Sequence, residues 1–211
     1  MNKIIKKIAS NDNSSAFKKF AKLHDLIYLG ESSDHEEPIK GVLLNDKRID
    51  RNSVQGVSSA HDINLVQRIM PSRLHNDKYK WTILQVTTEA TLPHVFIDGH
   101  KHQQDIYSSL FSAFGHYRQL DQFVSQNLTH FSAHFTTFGA VEESAFIHNV
   151  LTKEVLELIY GHGANLDYEL DSHHLRVYNL TEDITVEQIE DMFMLAQNLV
   201  HTIETQAENF S

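Results

Sequence analysis

One helix near the C-terminus limits the folds open to this chain more than any other stretch does. Ile189, Met192, Phe193, Ala196, Leu199, Val200 and Ile203 recur at three- and four-residue spacing, which puts them on one stripe of a helix. Thr185 and Gln188 have the spacing of a capping box, and Ile184 and Ile189 that of the hydrophobic staple around it. A stripe of about five turns needs a broad apolar surface to cover it, and the rest of the chain supplies strands to make one.

From Gly41 onward, GVLLNDKRIDRNSVQGV, HDINLVQRI and KYKWTILQVTTEATLPHVFID hold β-branched and aromatic residues between turn formers. Tyr79, Trp81 and Ile83 alternate as in a half-buried strand that runs on through Leu84 to Thr88. Leu92-Pro93 predicts a break, with a new strand over His94 to Asp98. No helix-length connector separates these segments, so an antiparallel meander is expected rather than a parallel sheet.

The stretch from Phe131 to Leu180 forms the rest of the scaffold. It reads as a strand over Ala133 to Phe138, a helix, and a hairpin. Thr152 caps the helix, Leu151 and Leu156 flank the cap as a staple, and Gly161 and Gly163 stop it. Val155 with Ile159, and Leu156 with Tyr160, give that helix its apolar face. Leu166, Tyr168 and Leu170 then alternate with Asp167, Glu169 and Asp171; DSHH predicts a turn, and Leu175 and Val177 alternate with Arg176 and Tyr178 on the return. Before this stretch, Gly99 to Gln119 fits a short helix or an ordered loop, Gln119 to Val124 a strand, and Asn127 to Phe131 a helical turn.

The expected class is α+β: an antiparallel meandering sheet packed against the long C-terminal helix and a few shorter ones, in one domain over residues 1–211. Residues 1–28 are expected to form a basic helical arm. Within it Asn11 to Tyr28 reads as a helix, because Phe17, Phe20, Ala21, His24, Ile27 and Tyr28 share a face opposite lysines. Such a helix could lie on an anionic membrane or dock on its own acidic domain. Two phenylalanines and no tryptophan favour docking. Gly30 to Lys40 is polar and punctuated by Gly30 and Pro38, as in a surface loop.

Charge and composition exclude several functions. Net charge is −10, yet residues 1–22 carry Lys3, Lys6, Lys7, Lys18, Lys19 and Lys22 against Asp12, leaving the remainder at −15. In residues 142–211 only Lys153 and Arg176 oppose fourteen acidic side chains. Such a body repels nucleic-acid phosphates. No cysteine occurs, which rules out disulfides, thiolate catalysis and thiolate metal sites. No apolar run reaches the roughly eighteen residues of a membrane span, and MNKIIKKIASNDNSS lacks the apolar segment of a signal peptide, so a soluble cytoplasmic protein is expected.

Fifteen histidines raise the question of a metal. His130 and His134 have helical spacing for a shared zinc, with His100, His102, His173, His174 or an acidic residue as a further donor, but HFSAH lacks the glutamate of a metalloprotease and its second histidine falls where a strand is expected. His24-Asp25 and His61-Asp62 look like the pairs of metal-dependent phosphohydrolases, which are helical throughout, so chance accounts for them better. There is no GxSxG elbow, GxGxxG or GxxxxGK[ST]; Gly161-His162-Gly163 ends a helix where a phosphate cradle begins one. Glu36-Glu37 and Glu142-Glu143 read as solvated pairs, the second at a helix start. The histidines could also sense pH, since protonating half of them would bring the net charge near zero.

LPHVFID, DQFVSQNLTHFSAHFTTFG, NVLTKEVLELI and LDYELDSHHLRVY follow one another in an order that resembles a family of cytosolic α+β domains of bacterial proteins, often membrane-associated and without an assigned activity. The resemblance covers about residues 75–205 and rests on core patterns. It implies the fold and brings no catalytic residue. The functional expectation is a non-catalytic domain for protein–protein interaction or self-association, with no cofactor and no metal site. Peripheral membrane contact through the N-terminal helix is less favoured. The alternative is a histidine-rich metal-binding protein or metal-assisted hydrolase.

Overall fold

The structure, a computed structural model, describes residues 13–31, 39–42, 49–71, 78–99 and 117–209. Its elements run α1 (Ser14–Leu23), β1 (Ile27–Gly30), β2 (Ile49–Ser58), β3 (His61–Pro71), β4 (Lys78–Gly99), β5 (Tyr117–Gln119), α2 (Asp121–Val124), β6 (Phe135–Ala140), α3 (Ser144–Val150), α4 (Lys153–Gly161), β7 (Asp167–Leu180) and α5 (Val186–Asn209), with 3₁₀ turns at Phe131–Ala133 and Val141–Glu143. The α+β architecture is as expected: a seven-stranded sheet, antiparallel at every pairing, with the long C-terminal helix across it.

β4 is the axis of the sheet. One of its edges pairs with β7 from Trp81↔Leu180 to Ile97↔Tyr168, while the other carries β3 along its first half and β6 along its second. The predicted break at Leu92-Pro93 is absent, and β4 runs unbroken for 22 residues. Its ladder shifts register between Thr87 and Leu92 and again between Leu92 and Val95, so Pro93 lies at an irregularity where a missing N–H costs little. The predicted hairpin over LDYELDSHHLRVY is likewise one strand. Ser172 takes a left-handed φ of 58° opposite Leu92, and the chain kinks there and continues along β4 instead of turning back.

Two further expectations change. Asn11 to Tyr28 is not one helix: α1 stops at Leu23, Asp25 adopts a left-handed φ of 55°, and Ile27–Gly30 becomes the edge strand β1. Gln119 to Val124 is not a strand. Leu120 donates its N–H to Thr137 O (2.8 Å), Asp121 Oδ1 accepts from Thr137 N (2.8 Å), and Phe123 N then bonds Leu120 O, closing a helical turn. Most of Gly30 to Lys40, and Gly99 to Gln119 up to residue 116, lie outside the described residues.

The helices cover one face of the sheet. Their core holds Val54, Ile63, Leu65, Leu84, Val86, Val95, Ile97, Leu175 and Val177 from the strands with the whole predicted stripe of α5. The Thr185–Gln188 capping box forms in both directions, at 2.9 and 3.3 Å. Thr152 caps α4 by accepting from Val155 N (3.5 Å), and Leu151 and Leu156 are fully buried beside it. Phe17 and Phe20 of α1 join the same core, Phe20 edge-on to Phe193 at 5.3 Å, so the apolar face of α1 is occupied by its own protein. No helix is long and apolar enough to cross a membrane among the described residues.

Candidate functional site

The opposite face of the sheet buries charge. On β4, Trp81, Ile83 and Gln85 point to this side before the register shifts, and His94, Phe96 and Asp98 after them. On β7 the alternation likewise flips at Ser172, so that Glu169 and Asp171 share the side of Arg176 and Tyr178. Matched irregularities in two paired strands thus put odd- and even-numbered residues on one face. Trp81, Ile83, Phe96, Tyr117 and Tyr178 form a second apolar cluster there with Ile39, Val42 and Val66.

Glu169 is the centre of the group, and its side chain is completely buried. Oε1 lies 3.0 Å from His94 Nε2 and 3.5 Å from Arg176 Nη1. Oε2 accepts from Val42 N (3.1 Å) and from the Tyr178 hydroxyl. Arg176 extends the network through Nε to Gln85 Oε1 (2.8 Å) and through Nη1 to Asp171 Oδ2 (3.5 Å). Gly41 carries the covering segment over it: a Cβ there would lie 2.6 Å from both Glu169 Oε2 and the Tyr178 oxygen, and its φ of +139° suits glycine. Farther along the same face, Arg68 forks onto Asp50 (2.8 and 2.7 Å) and donates to Ile39 O (2.9 Å).

His94 links this buried carboxylate to a phenol. Its Nδ1 is bonded to the Tyr117 hydroxyl, and its backbone N–H donates to Glu143 Oε2 (3.2 Å). Burial disfavours the imidazolium, but the bond to Glu169 and the charges of Glu169 and Asp171 outweigh it, so His94 keeps its proton above the usual histidine range. Burial, then Glu169, Asp171 and Glu143, push the Tyr117 phenol upward, and burial and Glu169 do the same to Tyr178. The arrangement can hold a proton between Glu169 and Tyr117. Both phenols are held in the protonated form, so neither is an activated nucleophile.

Among the described residues, His94, Glu169 and Asp171 form a group whose ligand atoms come within 4.8 Å of one another. Arg176 lies 3.5 Å from both carboxylates, so they already share a cation, and this donor set suits a charge network better than a metal. The histidines singled out in the sequence lie elsewhere. His130 and His134 flank the 3₁₀ turn and are exposed, His134 edge-on to Tyr160. His24 bonds Glu190 (2.8 Å) between α1 and α5, and His61 lies 3.5 Å from Glu204, so neither serves its neighbouring aspartate. His173 approaches Ala90 O (3.2 Å), and burial and Arg176 lower the pKa of His174. His100, His102, Glu36 and Glu37 fall outside the described residues. No sequence motif marks His94 or Glu169. The available signal was Arg176, one of only two cations in residues 142–211, standing in alternation with acids on a strand.

A second feature lies at the end of the sheet. β1 is its terminal strand, paired only to β2 among the described residues. Tyr28 turns toward the helix side and donates to Asn52 Oδ1 (2.9 Å). Ile27 therefore points to the other side, where Val57 lies diagonally across from it, and the ladder shifts register between Tyr28 and Gly30, at Leu29. Ile27 and Val57 are each 63% exposed and Leu29 39%.

No family model matches the chain, and no curated protein matches it. Among solved structures, that of the mycobacterial trehalose monomycolate transport factor A, TtfA, is similar in fold, with a TM-score of 0.58 at 9% identity over 93% of this chain and 94% of that one.

Proposed function

We propose that this protein is a non-catalytic cytoplasmic binding module, one α+β domain that works by docking to a protein partner or to itself. The contrast between its two polar and apolar features carries the reading. Glu169, Arg176 and His94 are satisfied within their own network, whereas Ile27, Leu29 and Val57 stand exposed at the β1–β2 end of the described sheet. Single exposed apolar residues are ordinary, but several gathered at one end of a sheet mark a contact surface. A similar fold in a protein described as a transport factor is in keeping with a role in handling a partner. The acidic body argues against nucleic acid as that partner.

Light scattering of the purified protein, compared with its size in native cell extract, tests this. A 24.3 kDa monomer when pure that runs in a larger complex in extract indicates a partner, and a multiple of that mass when pure indicates self-association. A monomer under both conditions contradicts the proposal.

A further inference from the structure

The charged face of the sheet holds a short piece of its own chain in the way a groove holds a peptide. Residues 39–42 lie on it without joining any strand. Ile39 and Val42 are buried in one cluster with Val66, Trp81, Phe96 and Tyr178, whereas Lys40 between them is exposed. Their main chain is held at both ends: Arg68 Nη2 donates to Ile39 O (2.9 Å), and Glu169 Oε2 accepts from Val42 N (3.1 Å). Gly41 is selected by sterics, since a Cβ there would crowd Arg176 Cδ at 3.2 Å besides the Glu169 and Tyr178 oxygens. Four residues thus meet two main-chain bonds, two apolar sites, one tolerant position and one position that admits glycine alone.

The charges beneath do not depend on that cover. Without it Arg68 keeps its fork onto Asp50 (2.8 and 2.7 Å), and Glu169 keeps Arg176 (3.5 Å), His94 (3.0 Å) and Tyr178. Neither charge is orphaned when residues 39–42 leave, so their departure costs mainly the exposure of Trp81, Phe96 and Tyr178, which another segment of the same pattern offsets. We propose that this face is a docking groove for a partner protein's segment with the pattern apolar residue, any residue, glycine, apolar residue, and that residues 39–42 are a stand-in that the partner displaces. Residues 39–42 are joined at their two ends to β1 and β2, which pair with each other, and that tether favours an arriving free segment over exchange between two copies. The groove is a second contact surface, beyond the one at the β1–β2 end.

The test uses the full chain and a free peptide with the sequence of residues 37–44, EPIKGVLL. Trp81 is the chain's one tryptophan and is buried under the segment, so its emission reports the cover. Gly41→Val should expel residues 39–42 and shift that emission to the red, and the added peptide should shift it back. The peptide should bind this variant on the order of tenfold or more tightly than wild type, where the tethered segment competes at high effective concentration. The same peptide with valine for its glycine should bind neither protein. In wild type, the amide of Val42 should exchange its hydrogen much faster than the ladder amides of β4, because the segment opens without the sheet. An unfolded Gly41→Val protein, equal binding of the valine peptide, or a Val42 amide that exchanges only with β4 makes the segment part of the core and overturns the proposal. Wild-type dimers that the peptide breaks would put a second copy in the groove and overturn it as well. If the peptide fails while the complex in extract persists, the module reading stands without this groove; a wild type without any complex fails that reading itself.

Discussion

On the helix side of the sheet Leu84, Val86, Leu175 and Val177 share a core with Met192, Phe193 and Leu199, while on the far side Trp81, Phe96 and Tyr178 share theirs with Arg68, Glu169 and Arg176. Both clusters exclude water, by different means. The first gains from area removed from water and tolerates any apolar shape that fills it. The second must keep each charge paired, because desolvating a carboxylate or guanidinium costs several kcal/mol before its partner offsets it. The first face should therefore fail gradually when trimmed, and the second abruptly when one partner is lost.

Removing one charge gives the largest effect. Glu169→Ala leaves Arg176 buried beside a cavity and strips acceptors from Val42 N, Tyr178 and His94, so a loss of roughly 3–5 kcal/mol in denaturant unfolding is expected. Phe193→Ala should cost a comparable roughly 3–5 kcal/mol through cavity formation, and should do so equally at pH 6 and pH 8. An unchanged melting temperature would remove α5 from the core. Thr152→Ala comes next, at about 1 kcal/mol, since the hydroxyl caps α4 and also accepts from Gln206 Nε2 (2.8 Å).

The smallest effect concerns pH. His94 holds its proton more firmly folded than unfolded, so its contribution is complete below the ordinary histidine value of 6.5 and is lost as pH rises through its raised folded value. His174 is shifted the other way and loses stability as pH falls. The stability difference between wild type and His94→Gln should therefore be larger at pH 5.5 than at pH 8.5, a comparison in which His174 cancels. An equal difference at both would show that Glu169 does not favour the imidazolium.

What could be read from the sequence divides along the same line. The stripe of α5, its capping box and the Thr152 cap are local patterns, and each formed where the spacing placed it. The errors arose where a local signal met a long partner strand. Pro93 predicted a break and the DSHH turn formers a chain reversal, but β4 and β7 lie side by side and absorb both as register shifts. Asp167, Glu169 and Asp171 were rightly set on the face opposite Tyr168 and Leu170, yet that face is not solvent. Its cover comes from Ile39 to Val42 and from Tyr117, far away in sequence, and no periodicity in β7 reports them. The bond between His94 and Glu169 spans 75 positions and has no spacing rule.

The double-mutant cycle at Glu169 and Arg176 tests most directly the claim that the charged face is held by its own mutual satisfaction. Glu169→Met and Arg176→Met, singly and together, would be compared by urea unfolding. The account predicts that each single change is severe and that the double variant recovers most of the loss, because no orphan charge remains. Losses that simply add would show that the two charges do not hold each other, and would contradict it.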